Sequence, residues 1–155
     1  MIRPYSVEDR PELENFLMRQ RTFARMNGQS TETFRDENVA DFEEEGTMSL
    51  IFREGERIIA IADLLKKHPV DGSLWLGLFV VDESLHGTGI AQMLYERLEK
   101  DCMRPYQTVF RLGVLPQNNR GRRFWERNGY VYEKDSVTNK DVRVHVLKKQ
   151  LIRLE

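Results

Sequence analysis

The chain has a single cysteine, Cys102, so no internal disulfide can form, which fits a reducing, cytoplasmic setting. Cys102 lies far in sequence from any histidine and reads as a packed thiol, not a nucleophile. There is no apolar run long enough to cross a bilayer, and the opening residues, MIRPYSVEDRPE, lack the apolar core of a secretory leader. Neither membrane insertion nor export is therefore expected. Charge of one sign is also missing: 24 Lys and Arg against 25 Asp and Glu leave a net charge of −1, and nothing global draws the chain to nucleic acid. The three histidines, His68, His86 and His145, have no metal-ligand spacing, so no metal is expected. Internal repeats, low-complexity tracts and linkers are absent too.

What is present suits one domain. At 155 residues, 40% of them hydrophobic and 32% charged, the chain can bury a sizeable core, and residues 1–155 read as a single unit. Ile2 to Tyr5 predicts a short strand. Asp9-Arg10-Pro11-Glu12 predicts a helix start, with Ser6 as a competing one, and Asn27-Gly28 a stop. A second helix is expected from about Thr33 to Glu45, capped by Ser30 or Thr31. The Glu43-Glu44-Glu45 run at its end reads as a solvated terminus or, more sharply, as an acidic rim for a cationic acceptor.

Met48 to Arg53, Arg57 to Leu65 and the run from Leu74 to Val81 predict an antiparallel meander closed by the turns Glu54-Gly55-Glu56 and Pro69-Val70-Asp71-Gly72. A helix is expected from about Ala91 to Met103, a strand from Thr108 to Leu115, a short helix from Arg120 to Arg127 and a final hairpin. The order β α α β β β α β α β β is neither all-β nor a regular βα alternation. It predicts an α+β fold, a mixed sheet with helices on its faces.

The stretch Ser73 to Glu99 carries the strongest local signal. A buried strand feeds the loop His86-Gly87-Thr88-Gly89-Ile90-Ala91, which feeds a helix with Ile90, Leu94 and Leu98 on one face. Glycines let the backbone approach a ligand closely, and the first N–H groups of a helix have no intrahelical partner. The loop can cradle phosphate, or it can be an ordinary strand-to-helix turn.

Two separated patterns then coincide. Val81 to Ala91 resembles the acetyl-CoA pyrophosphate loop of the GNAT N-acetyltransferase superfamily, Q/R-x-x-G-x-G/A, with His86 where Gln or Arg is usual. Asn118 to Tyr130 is similar to the family segment N-x-x-A-x-x-x-Y-x-x-x-G-F, with Gly121 in place of the Ala and Trp125 in place of the Tyr. The element order resembles the family's topology as well.

The resemblance implies a GNAT acyl-CoA N-acyltransferase fold and an acetyl-CoA-dependent N-acetyltransferase that passes acetyl directly to a primary amine. The pantetheine arm would run along Leu78, Phe79, Val80 and Val81, where the fourth and fifth strands separate. The pyrophosphate would meet the N–H groups of His86, Gly87, Thr88, Gly89, Ile90 and Ala91. Asn118 would hold the pantetheine, and an arginine of the basic short helix, Arg122, would meet the 3′-phosphate.

The catalytic groups are less plain. Indole N–H is a donor with no acid chemistry, so Trp125 can cap the pocket or bond the sulfur but cannot give a proton. Tyr130 and Tyr132 are the nearest phenols. Trp75 stands about where some relatives carry a glutamate, which leaves Asp63, His68 and Asp71 as candidate bases, Asp71 foremost. A non-catalytic acyl-CoA-binding module is the rival expectation. The acceptor amine is unspecified, the expected partners are acetyl-CoA and that amine, and the chain is expected to be a monomer or homodimer.

Overall fold

The computed structural model describes residues 1–152 of the chain, so the last three residues of the expected 1–155 domain lie outside the described residues. Seven strands form one mixed sheet: β1 (Ile2–Pro4), β2 (Met48–Glu54), β3 (Arg57–Leu65), β4 (Leu74–Val81), β5 (Val109–Val114), β6 (Val131–Val137) and β7 (Arg143–Gln150). Their spatial order is β1-β2-β3-β4-β5-β7-β6, and only β4 and β5 run parallel. The connection between them is the helix α4 (Ile90–Leu98), a crossover as parallel neighbours require.

Three helices precede β2 where the sequence predicts two: α1 (Arg10–Arg19), α2 (Arg21–Met26) and α3 (Thr31–Glu43). The extra break falls at Gln20, which has no glycine or proline beside it. Its side chain is fully buried. Its amide nitrogen donates to the Phe16 carbonyl at 2.9 Å, and its oxygen accepts the Glu83 N–H at 2.9 Å. A contact 63 residues away thus overrides helix propensity. Ser30 caps α3 by accepting from the Thr33 N–H at 3.1 Å. Asp9 does not cap α1: its carboxylate accepts from the Ser6 N–H and is pinned by Arg3 and Arg53.

Two apolar layers form, one on each face of the sheet. Leu13, Phe16, Leu17, Phe34, Val39 and Phe42 of the first helices pack on Ile51, Ile58, Ile61 and Val80. On the other face, Leu94, Tyr95 and Leu98 of α4 pack on Phe52, Ala62, Leu76, Leu112 and Leu147. Phe124 and Trp125 of α5 (Asn119–Arg127) join that layer half-buried. The α4 helix widens into one π-type turn, Glu99–Met103, where the buried Glu99 carboxylate takes Arg104 and Lys149, both at 2.8 Å.

Two irregularities matter for the site. The parallel pairing of β4 with β5 lasts only for Leu74 with Phe110 and Trp75 with Arg111. Beyond it the strands part, so the side of β4 facing β5 is left without a strand partner from Leu76 to Val81. In the same place β4 bulges: Asp63 pairs with Leu78 and Leu64 with Leu76, so Gly77 has no partner on β3.

Candidate functional site

The parting of β4 and β5 opens into a cavity of about 610 Å³. Its floor is Trp75 to Phe79 of β4, Leu112 to Val114 of β5 and Leu115 just beyond it. One wall is Phe23, Phe34, Glu37, Asn38 and Asp41 from α2 and α3. Trp125 and Asn118 flank the other side, and the β6–β7 hairpin residues Asn139 and Lys140 lie across the rim.

At the far end of β4, Asp82 ties the strand end to the rest of the fold. Its buried carboxylate accepts from Arg19 at 3.0 Å and Arg57 at 3.1 Å, and from the Ser84 N–H at 3.1 Å. Burial pushes this carboxyl up, but those donors hold it at about 2. A short 3-10 turn, Glu83–Leu85, then delivers the glycine loop.

Gly87 and Gly89 have φ of +82° and +84°, a region that side chains other than glycine's strain to adopt. Gly89 is the N-cap of α4. Among the described residues, the N–H groups of Gly87, Gly89, Ala91 and Gln92 meet no protein acceptor. That of Ile90 has only the Thr88 hydroxyl at 3.3 Å. Four free donors at a helix N-terminus suit a phosphate-bearing ligand.

His86 does not point its charge-bearing edge freely into this loop. Its Nε2 lies 3.0 Å from the Val81 carbonyl, so that nitrogen donates and the ring closes the loop onto the strand end. Phe79, Val80 and Val81 form the strand edge between loop and cavity, with Phe79 reaching the cavity floor. Asn118 lines the cavity, and its Oδ1 caps α5 by accepting from the Gly121 N–H at 2.9 Å. A Cβ at position 121 would come within 2.4 Å of the Asn118 amide nitrogen. Glycine there lets the asparagine fold over the helix start.

Other sequence candidates lie elsewhere. Arg122 faces the β6–β7 hairpin, with Nη1 3.1 Å from His145 Nδ1, Nε 3.6 Å from Glu126 and the guanidinium over the Tyr132 ring. These contacts tie its guanidinium to the hairpin and to Glu126 of its own helix. Tyr130 is buried, and its hydroxyl lies 2.6 Å from that of Tyr95. It is absent from the cavity wall, and burial pushes its phenol well above the ordinary range.

Asp71 also stands outside the cavity. Burial raises its carboxyl, but the Ser73 hydroxyl (2.6 Å), the Ser73 N–H (2.8 Å) and the Trp75 indole N–H (2.9 Å) hold it at about 2. A carboxylate so well supplied with donors is a weak base, and its bonds close the turn into β4. Trp125 does reach the cavity, packed edge-on to Phe79, Tyr95 and Phe124.

Some cavity groups were not singled out from the sequence. Phe23 and Phe34 look like core residues at helical spacing, and the turn residue Lys140 carries no local signal. Its ammonium lies 3.2 Å from Asp41 and 3.8 Å from Glu37. Of the expected acidic rim, Glu44 lines the cavity, while Glu43 is paired with Arg10. Among the described residues no group of three or more His, Cys, Asp or Glu side chains is placed to hold a metal, and no helix is long and apolar enough to cross a membrane.

A mixed seven-stranded sheet that parts between a parallel pair, with a glycine loop and helix N-terminus at the end of the parted strand, defines an acyl-CoA-handling acetyltransferase fold. The chain belongs to the Acetyltransferase (GNAT) family, which matches residues 10–130. Solved structures share the whole architecture. An acetyltransferase from Thermus thermophilus superposes with a TM-score of 0.80 at 16% identity, over 97% of this chain and 96% of that one. A PaiA N-acetyltransferase from Thermoplasma acidophilum, in complex with coenzyme A, gives 0.72 at 18% identity over 97% and 98%. The ribosomal-protein-S18-alanine N-acetyltransferase from Escherichia coli gives 0.70 at 17% identity over 100% and 96%. No curated protein sequence matches the chain.

Proposed function

We propose that this chain is an acetyl-CoA-dependent N-acetyltransferase that transfers acetyl directly to the primary amine of a small molecule or peptide in the cytoplasm. The observation that carries this reading is the parted β4–β5 edge, joined at one end to the free N–H groups of Gly87, Gly89, Ala91 and Gln92 and at the other to the cavity. The loop residues His86 to Ala91 hold the pyrophosphate of acetyl-CoA, the Phe79–Val81 edge takes the pantetheine amides, and Asn118 flanks the arm. The thioester then lies at the bulge, where Gly77 has no register partner on β3 and the β4 edge has parted from β5, so that backbone N–H groups of this edge polarise its carbonyl.

The acceptor enters from the side of Glu37, Asp41 and Glu44, whose charge attracts a cationic amine. Trp125 walls the cavity and orients the arm, and the leaving thiolate is protonated from solvent. The experiment is thiol release from acetyl-CoA across a panel of small amines and peptides, with calorimetry for acetyl-CoA alone. Amine-dependent release supports the reading.

A second reading, a module that binds acyl-CoA without turnover, is favoured by one observation. Trp125 stands in the cavity at the position of a phenol, and no tyrosine of this chain replaces it in the cavity wall. Saturable binding with no release on any amine would select it.

A further inference from the structure

We infer that Asp63 takes the proton from the acceptor amine, and that the acceptor's ammonium is the counter-ion this carboxylate lacks. The inference rests on the acetyltransferase reading above.

Asp63 interrupts an otherwise apolar stretch of β3: Ile58 to Ala62 before it and Leu64 after it are all buried. Its strand partner is Leu78, the residue after the bulged Gly77, and it lines the cavity beside both. It therefore sits where an amine approaching the bulge would arrive.

The other carboxylates drawn into the fold each have a cation. Asp9 has Arg3 and Arg53, Asp82 has Arg19 and Arg57, and Glu99 has Arg104 and Lys149. Among the described residues, Asp63 has a hydroxyl partner and no cation. Ser49 Oγ donates to its Oδ1 at 3.0 Å. The charged groups facing it are anions, Asp41 from α3 and Glu44 just beyond that helix, and Lys140 spends its charge on Asp41 and Glu37. Burial first, and then Asp41 and Glu44, raise this carboxyl above the ordinary aspartate value. A half-buried carboxylate among like charges gains from a cation and accepts a proton more readily than Asp71 does.

In the transfer, the acceptor arrives as an ammonium and gives one N–H proton to Asp63, which becomes the neutral acid. The freed lone pair forms the C–N bond to the acetyl carbonyl carbon. The C–S bond breaks, and its electron pair leaves on sulfur as thiolate. The second nitrogen proton reaches that sulfur through solvent, and Asp63 returns its own proton to solvent.

The test compares the native chain, D63N, D63E and S49A. Each is assayed for thiol release with acetyl-CoA and the best amine of the panel across pH, with melting temperature and acetyl-CoA calorimetry alongside. D63N keeps the acceptor for Ser49. Its kcat/KM is expected to fall by about 10²- to 10⁴-fold, the yield of a positioned base. Its acetyl-CoA affinity stays unchanged, and the acidic limb of the native profile is replaced by activity that climbs with the fraction of free amine. D63E restores part of the rate, and S49A keeps most of it. D63N with native turnover and a native pH profile would overturn the assignment while leaving the acetyltransferase reading intact. So would S49A losing as much turnover as D63N, since that marks a structural bond. A native chain that binds acetyl-CoA and releases no thiol with any amine overturns both.

Discussion

The hydroxyls of Tyr95 and Tyr130 lie 2.6 Å apart inside the layer between α4 and the sheet, on the same face as the buried carboxylate of Glu99. Glu99 is held by Arg104 and Lys149. Burial raises the Glu99 carboxyl, while Lys149, Arg104 and Tyr95 lower it further, so it stays charged. The two hydroxyls are paired with each other, with Tyr130 spent on the fold. Tyr130→Phe is expected to cost about 1 kcal/mol of stability, one buried hydrogen bond, and to leave turnover of the folded protein nearly unchanged. Melting temperature and steady-state kinetics check both. A loss of turnover with native stability would make Tyr130 the acid.

Asp82 anchors the strand end that carries the loop. Its carboxyl titrates at about 2 in the folded chain against 3.8 when unperturbed. A depressed carboxylate stabilises the fold fully above its unfolded value, and that contribution disappears as pH falls through the folded value. Asp82→Asn is therefore expected to cost about 2 kcal/mol near neutral pH, the worth of hydrogen bonds to a charged group. The difference from the native chain shrinks below about pH 4 and vanishes below about pH 2, as urea denaturation across pH will show.

Gly89 tests the cradle. With φ at +84° it strains any larger residue by about 1–2 kcal/mol, and no atom lies within 4 Å of a Cβ there. Gly89→Val is expected to fold with a lowered melting temperature, because space is open. Its acetyl-CoA binding should weaken at least tenfold in calorimetry as the free N–H groups turn or are screened. Unchanged affinity would remove the loop from the coenzyme site.

Trp125→Phe keeps an aromatic ring against Phe79 and Tyr95 but removes the indole N–H together with one ring of the bicycle. Turnover is expected to stay within about tenfold of native, well short of the 10²- to 10⁴-fold cost of a lost proton donor. A larger drop with intact acetyl-CoA binding would give the indole a direct part in the reaction.

These sites differ in how far the sequence reveals them. The meander, the loop and the crossover helix are local: alternating or continuous apolar runs, turn residues and two glycines specify them, and their bounds fall within a residue or two of the observed elements. Asn118 is local as well, since its cap lies three residues from its own position. The break at Gln20 is not local, because the amide that causes it bonds Glu83 across the fold. The contrast between Asp63 and Asp71 is of the same kind. Both are acidic residues near the strand that carries Trp75. Only the fold shows that Asp71 is surrounded by donors from Ser73 and Trp75, while Asp63 faces the cavity with Asp41 and Glu44 beside it. Arg122 looks like a phosphate ligand by type, yet its contacts with His145 and Tyr132 depend on a hairpin that follows it in the chain.

The central claim is that acetyl-CoA seats on the parted β4 edge and is consumed by an amine. Its most direct test is free-thiol release from acetyl-CoA by the native chain, with and without an amine panel, beside calorimetry of acetyl-CoA binding. The account predicts saturable binding and thiol release that depends on one or more amines, with one acetylated amine formed per thiol. Absence of acetyl-CoA binding, or thiol release that no amine accelerates, would contradict it.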